Sequence, residues 1–193
     1  CATNSTTRLF ADDSLLYRRI SCPDDFALLQ HDLDALVNWE TTWHMKFNAA
    51  KCQVLQITNK HEPTPGSYTI HGHQLELVDS AKYLGVHLDS KLNFNTHVDA
   101  VVKKANGIRA FLNRNIGHCG KKIKEASYKT YVRPIVEYSA AAWDPHAQRN
   151  IKKLEMVQRR SARYVTGAFD RRLSVKPMLQ DLKWQSLEER RWR

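Results

Sequence analysis

The stretch "RLFADDSLLYRR" (residues 8–19) sets two carboxylates, Asp12 and Asp13, side by side inside an otherwise apolar run. Leu9 and Ala11 alternate into the acidic pair and Leu15, Leu16 and Tyr17 follow it, which predicts strand, tight turn, strand. Aspartate tolerates the backbone of a turn, so the pair is expected at a hairpin tip. Two unit charges about 4 Å apart repel by roughly 4 kcal/mol at an effective dielectric near 20. A tip that keeps both ionised calls for a cation, and Mg²⁺ takes carboxylate, water and phosphate oxygens. An ordinary solvated turn is the plainer alternative.

Outward from this stretch, "CPDD" opens a helix, with Pro23 near its first position and Asp24 and Asp25 favourable to its dipole. Phe26, Leu29, Leu33, Leu36, Val37 and Trp43 form an apolar stripe expected to pack on a sheet. "HMKFNAAKCQVLQIT" reads as an extended segment broken around Asn48–Lys51, and "EPTPGSY" as turn chemistry. A hairpin is expected around Gly72, and a further strand in "KYLGVHLD" with Gly85 at a bend or bulge.

Helix dominates afterwards. Val98, Val101, Val102, Ala105, Ile108 and Leu112 mark one helical face. A helix over about 121–132 is expected to stop or kink at Pro134, and another to run through "PIVEYSAAAW". A long helix of roughly 147–166 carries Ile151, Leu154, Val157, Ser161 and Tyr164 on one stripe. Short helices are expected near 174–182 and 186–193. The fold class is therefore α+β, mixed to about residue 95 and helical beyond.

Hydrophobic residues make up 42% of the 193, enough for a core, and no run of 18 apolar residues predicts a membrane span. The first residues lack the pattern of a signal peptide, and the start at Cys1 reads as a piece of a longer reading frame. Cys1, Cys22, Cys52 and Cys119 form no C-x-x-C pair, which suits a reducing compartment without zinc or disulfides. His71 and His73 read as a polar turn. Residues 1–96 carry 8 Lys/Arg against 11 Asp/Glu, a net of −3. Residues 97–193 carry 22 against 9, a net of +13, which points to a polyanion partner, nucleic acid before membrane. Trp143, Tyr164, Trp184 and Trp192 could stack on bases, although core packing explains their spacing equally well.

"RLFADDSLLY" resembles the F/Y-x-D-D motif of reverse transcriptases, specifically those of LINE-type non-LTR retrotransposons such as jockey-like elements. "LQHDLDALVNWETTWHMKFNAAKCQVLQIT" is similar to the palm helix and F-N-x-x-K-C strand that follow in that family. "AKYLGVHLDSKLNFNTHV" resembles the primer-grip block, and "YKTYVRPIVEYSAAAWDPH", "LEMVQRRSARYVTG" and "VKPMLQDLKWQSLEERR" the helical region after it. The resemblance implies RNA-directed DNA synthesis by a two-metal site. Asp12 and Asp13 match the catalytic, metal-binding aspartates, holding Mg²⁺ (or Mn²⁺). Phe10 and Ala11 match residues lying against the incoming nucleotide and primer end, and Lys51 a lysine that contacts the triphosphate. Tyr83, Leu84 and Gly85 match the primer grip. The basic half matches the thumb, with Lys103, Lys104, Arg109, Arg159, Arg160 and Arg163 expected on the nucleic-acid backbone.

The resemblance thus implies a partial antiparallel palm sheet with a supporting helix in 1–95 and an all-helical thumb in 96–193. It implies an RNA template, a DNA primer and deoxynucleoside triphosphates as partners, and no membrane. Localisation in the nucleus and in cytoplasmic ribonucleoprotein follows from the family. Only eleven residues precede Asp12, so the family's first catalytic aspartate, its fingers and the rest of its palm are not in this sequence. The isolated chain is therefore expected to be inactive. A non-catalytic basic nucleic-acid-binding module is the alternative.

Overall fold

Helix α1 (Asp24–Trp43) begins after Pro23, whose fixed φ suits a helix start, and ends where His44 turns left-handed at φ 56°. This is a computed structural model, and it describes residues 4–61, 66–170 and 172–191. Cys1, Trp192 and the Glu62–Pro65 part of the expected turn lie outside the described residues. The chain divides into two compact units, Cys1–Leu92 and Asn93–Arg193.

In the first unit the α+β class holds. The strands are β1 (Thr6–Phe10), β2 (Asp13–Tyr17), β3 (Gln53–Leu55), β4 (Thr69–Ile70), β5 (His73–Gln74), β6 (Glu76–Val78), β7 (Ser80–Tyr83) and β8 (Val86–Asp89). In place of one antiparallel sheet, the described strands pair two by two: β1–β2, β4–β5 and β7–β8 antiparallel, β3–β6 parallel. The strands are two to five residues long, so each ladder ends after a few hydrogen bonds. The parallel pair needs a crossover, and the β4–β5 hairpin lies within it.

The core of this unit is small. Tyr68, Ile70 and Leu75 are buried, packed against Phe26, Leu29, Leu33 and Val37 of α1 and against Val54 of β3. The expected apolar stripe therefore packs at Phe26, Leu29, Leu33 and Val37, while Trp43 is 63% exposed. Six residues beyond Val37 is 600° of helix, about 120° off the stripe. Trp43 instead meets Trp39 at 6.5 Å between ring centroids.

The second unit is all helical: α2 (Asn95–Ile116), α3 (Lys121–Ser127), α4 (Arg133–Glu137), α5 (Ala140–Trp143), α6 (Gln148–Thr166), α7 (Lys176–Asp181) and α8 (Leu187–Arg191). Val98, Ala105 and Leu112 of α2 are buried, as are Ile151, Leu154, Val157, Ser161 and Tyr164 of α6. The helix expected over 121–132 widens into a π-helical turn at Tyr128–Val132, just before Pro134 in the first turn of α4. A proline removes an N–H from the α ladder, and the wider turn absorbs the defect. The helix expected through "PIVEYSAAAW" breaks at Ser139, with φ 54°. The break lets the fully buried Trp143 donate its indole N–H to the Tyr138 carbonyl at 2.8 Å and meet His97 edge-on at 4.8 Å. Trp143 and Tyr164 belong to the interior rather than to a base-stacking surface, and half-buried Trp184 stacks on buried Tyr128 at 4.2 Å. No described helix is long and apolar enough to cross a membrane.

Candidate functional site

The acidic pair lies at a two-residue hairpin turn. Phe10 pairs with Asp13 across the β1–β2 ladder, leaving Ala11 and Asp12 as the turn residues. Ala11 takes φ 51°, the left-handed conformation such tight turns require. Asp12 stands at the tip and Asp13 opens β2, both exposed. Among the described residues neither carboxylate has a hydrogen-bond or ion-pair partner. The donor set is hard oxygen with open coordination, which fits Mg²⁺ or Mn²⁺. No three His, Cys, Asp or Glu side chains among the described residues gather to hold a metal. Leu9 and Phe10 beside the pair are 71% and 63% exposed, and both hairpin edges lack a described neighbouring strand.

What holds the hairpin is legible only in three dimensions. The buried residues of α1 are three acids, Asp25, Asp32 and Glu40. The Asp32 carboxylate accepts the backbone N–H groups of Asn4 at 2.9 Å and Ser5 at 2.7 Å, at the entry to β1. Burial alone would raise its pKa, but the bonds from Ser5 and Asn4 outweigh that and the net shift is downward. Asp25 accepts the N–H groups of Ser21 at 2.8 Å and Cys22 at 3.0 Å and the Arg18 Nε at 3.1 Å, beyond β2. These bonds, the backbone ones first, hold Asp25 far below the usual carboxylate range. Seven residues separate the two aspartates, almost two full turns, so one helix face grips the chain on both sides of the hairpin. In sequence Asp25 reads only as a dipole-favouring residue.

Two further polar side chains of α1 hold the β4–β5 hairpin. Gln30 imitates a strand, accepting the Thr69 N–H at 2.9 Å and donating to its carbonyl at 3.0 Å. Glu40 pairs with His71 at 3.0 Å, so the polar turn read at His71 and His73 has a specific buried partner.

The other expected site residues lie on separate elements. Lys51 is exposed at the end of a short 3₁₀ turn, Ala49–Lys51. Tyr83, Leu84 and Gly85 form the β7–β8 connection: Tyr83 pairs with Val86, and Leu84 and Gly85 take φ 46° and 85°. Gly85 is thus in a tight two-residue turn rather than at a bulge, and its missing side chain permits that backbone.

In the second unit Lys103, Lys104, Arg159 and Arg160 are exposed. Arg109 is half-buried, its Nε without an acceptor, and burial together with the charge of Arg160 lowers its pKa. Arg163 turns to its own chain, donating to the carbonyls of Asp170 at 2.5 Å and Leu173 at 2.7 Å. That clasps the loop after α6 and occupies a guanidinium expected at a phosphate. Four acids of this unit are drawn into pairs elsewhere, Asp181 with Lys121, Glu125 with Lys129, Glu137 with Arg190 and Asp144 with Arg191.

The chain is 30% identical over 167 residues to the RNA-directed DNA polymerase from mobile element jockey of Drosophila funebris, covering 82% of this chain. It is 30% identical over 166 residues to the probable RNA-directed DNA polymerase from transposon BS of Drosophila melanogaster, covering 81%. It is 28% identical over 162 residues to the corresponding probable polymerase from transposon X-element of the same fly, covering 82%. The chain spans about 18% of the length of these curated relatives. No protein-family model matches the chain. No solved structure matches it.

Proposed function

We propose that this homologue of the jockey-like non-LTR retrotransposon reverse transcriptases is a segment of an RNA-directed DNA polymerase, the C-terminal palm in 1–95 and a basic helical thumb in 96–193. The observation that carries the reading is the acidic pair on the turn of an exposed hairpin, in a chain with these relatives. Asp12 and Asp13 supply two of three metal-ligating carboxylates, the third coming from palm sequence outside this chain. Asp12 and Asp13 would hold divalent metal ions, which when bound would supply activation of a primer 3′-hydroxyl and charge neutralisation at the departing pyrophosphate.

The chain's own residues position. Phe10 and Ala11 lie against the incoming deoxynucleotide and the primer end, with Lys51 toward the triphosphate. The Tyr83–Leu84–Gly85 turn holds the primer strand. Lys103, Lys104, Arg109, Arg159 and Arg160 track the template–primer backbone, while Arg163 shapes the adjoining loop. The exposed Leu9 and the open hairpin edges are surface that the remaining palm covers. Alone, the chain does not polymerise. In the family's setting it works with RNA template and DNA primer, in cytoplasmic ribonucleoprotein and the nucleus.

Primer extension on an RNA template, run with a longer frame that includes this segment, tests the assignment. Asp12→Asn and Asp13→Asn should each lower synthesis by roughly a hundredfold or more at saturating Mg²⁺. Undiminished synthesis in either variant overturns it. The charge of the second half supports a second reading, a non-catalytic module that binds nucleic acid. That reading expects tight, strongly salt-dependent binding of a primer–template duplex and an extension-dead longer frame.

A further inference from the structure

Helices α2 and α6 line an open groove of about 520 Å³ through Val102, Arg149, Lys152, Lys153, Met156 and Arg160. Its character is mixed. Val102 and Met156 give it an apolar floor, and Met156 is 42% exposed, high for so large an apolar side chain on a well-packed helix. The rim is cationic. Arg149, Lys152, Met156 and Arg160 follow one another at three- and four-residue steps, a stripe about 16 Å long on one helix face.

Neutralisation is sparse there. Lys153 is paired with Asp99, but Arg149, Lys152 and Arg160 have no acidic partner among the described residues. Arg109, on the neighbouring helix, feels the charge of Arg160 and keeps an unpartnered Nε. Unpaired like charges crowded along a groove are unfavourable until an anion joins them. Phosphates alone would satisfy the rim and leave the floor unused, because backbone contacts need no apolar surface. A strand with unpaired bases satisfies both, its phosphates on the cations and a base face on the Val102–Met156 floor.

We propose that the α2–α6 groove is a binding site for an unpaired nucleic-acid strand, distinct from the duplex contacts at Lys103 and Lys104 and sharing Arg109 and Arg160 with them. The inference rests on the nucleic-acid reading of this unit and adds a distinct ligand to it. Arg149 and Lys152 hold successive phosphates, Met156 lies under a base, and Arg160 with Arg109 closes the far end.

Fluorescence anisotropy with the full chain tests this, using a labelled 12-nucleotide oligo(U) and a labelled RNA–DNA hybrid of equal length. Arg149→Gln/Lys152→Gln should weaken oligo(U) binding at least tenfold and flatten its log–log salt dependence by about 1.4, roughly 0.7 per lost phosphate contact. The same variant should change hybrid binding less than twofold. Met156→Ser should weaken oligo(U) about threefold at unchanged net charge, with thermal unfolding checking that the helix is intact. Lys103→Gln/Lys104→Gln, an equal loss of charge, should act on the hybrid instead. Equal weakening of both ligands by the groove variant overturns the site while leaving the thumb reading in place. No binding of either ligand by the unaltered chain overturns both.

Discussion

The two units of this chain reach a stable fold by different means. The second unit is held by apolar helix packing: Trp143, Leu154, Tyr128 and Leu187 are essentially inaccessible, and most of its cations are left on the outside, Lys124 excepted. Among the described residues the first has Tyr68, Ile70 and Leu75 as its buried apolar centre, with Val86 buried outside that cluster, and its β1–β2 and β4–β5 hairpins are tied to α1 by polar side chains. Hydrogen bonds of this kind fix position more sharply than apolar contact does, because they are directional. A hairpin that must present two carboxylates at a defined place is well served by such ties. A unit that must present a charged surface needs only a firm interior.

The largest blow to this contrast falls on the second unit. Trp143→Ala removes the biggest buried side chain together with its bond to Tyr138, and should cost about 3–5 kcal/mol in urea unfolding. A cost under about 1 kcal/mol would mean that apolar packing is not what holds this unit. In the first unit, Asp32→Ala strips the acceptor from two backbone N–H groups and should cost about 2–3 kcal/mol. Hydrogen exchange should show the loss at residues 4–17 first, whereas an even loss across α1 would argue against a local clamp.

Acid separates the units by a different route. Asp25 has a folded pKa below its unfolded value near 3.9, so its contribution is complete above that value and is lost as pH falls through the depressed one. Protection of Arg18–Cys22 should therefore fade below about pH 4 and fade less steeply in Asp25→Asn. A pH-independent amide exchange pattern there, after correction for intrinsic rates, would remove Asp25 from the account. The smallest effect is a gain. Leu84 holds φ 46° at some energetic cost, and Leu84→Asn should stabilise the β7–β8 hairpin by roughly 1 kcal/mol. In the longer polymerase frame the same change should weaken primer binding if the leucine side chain touches the primer.

Legibility in the sequence also divides along this line. The stripes of α2 and α6 announce their buried faces because apolar residues recur every three or four positions, and the structure buries Val98, Ala105, Leu112, Ile151, Leu154 and Val157 accordingly. The "FADD" turn was readable because two carboxylates interrupt an apolar run. The sheets were not, since strands of two to five residues hold too few positions for alternation to show. The clamps were hidden for another reason. Asp25, Gln30, Asp32 and Glu40 look like the solvent side of an amphipathic helix, and a carboxylate's partner cannot be read when it is a backbone N–H. Arg163 misled in the same manner, as a surface cation whose acceptors are carbonyls seven and ten residues away.

By itself the sequence determined the α+β class, the helical second half, the asymmetry of charge and the acidic pair at a hairpin tip. These depend on composition and on periods of two and 3.6 residues, which are local properties of the chain. Tertiary structure alone decided that a helix grips the acidic hairpin from both ends through buried aspartates. It alone decided which cations are spent on carbonyls and carboxylates, and which line the groove between α2 and α6. Those outcomes turn on which polar atoms meet after distant segments pack, and no local period carries that information.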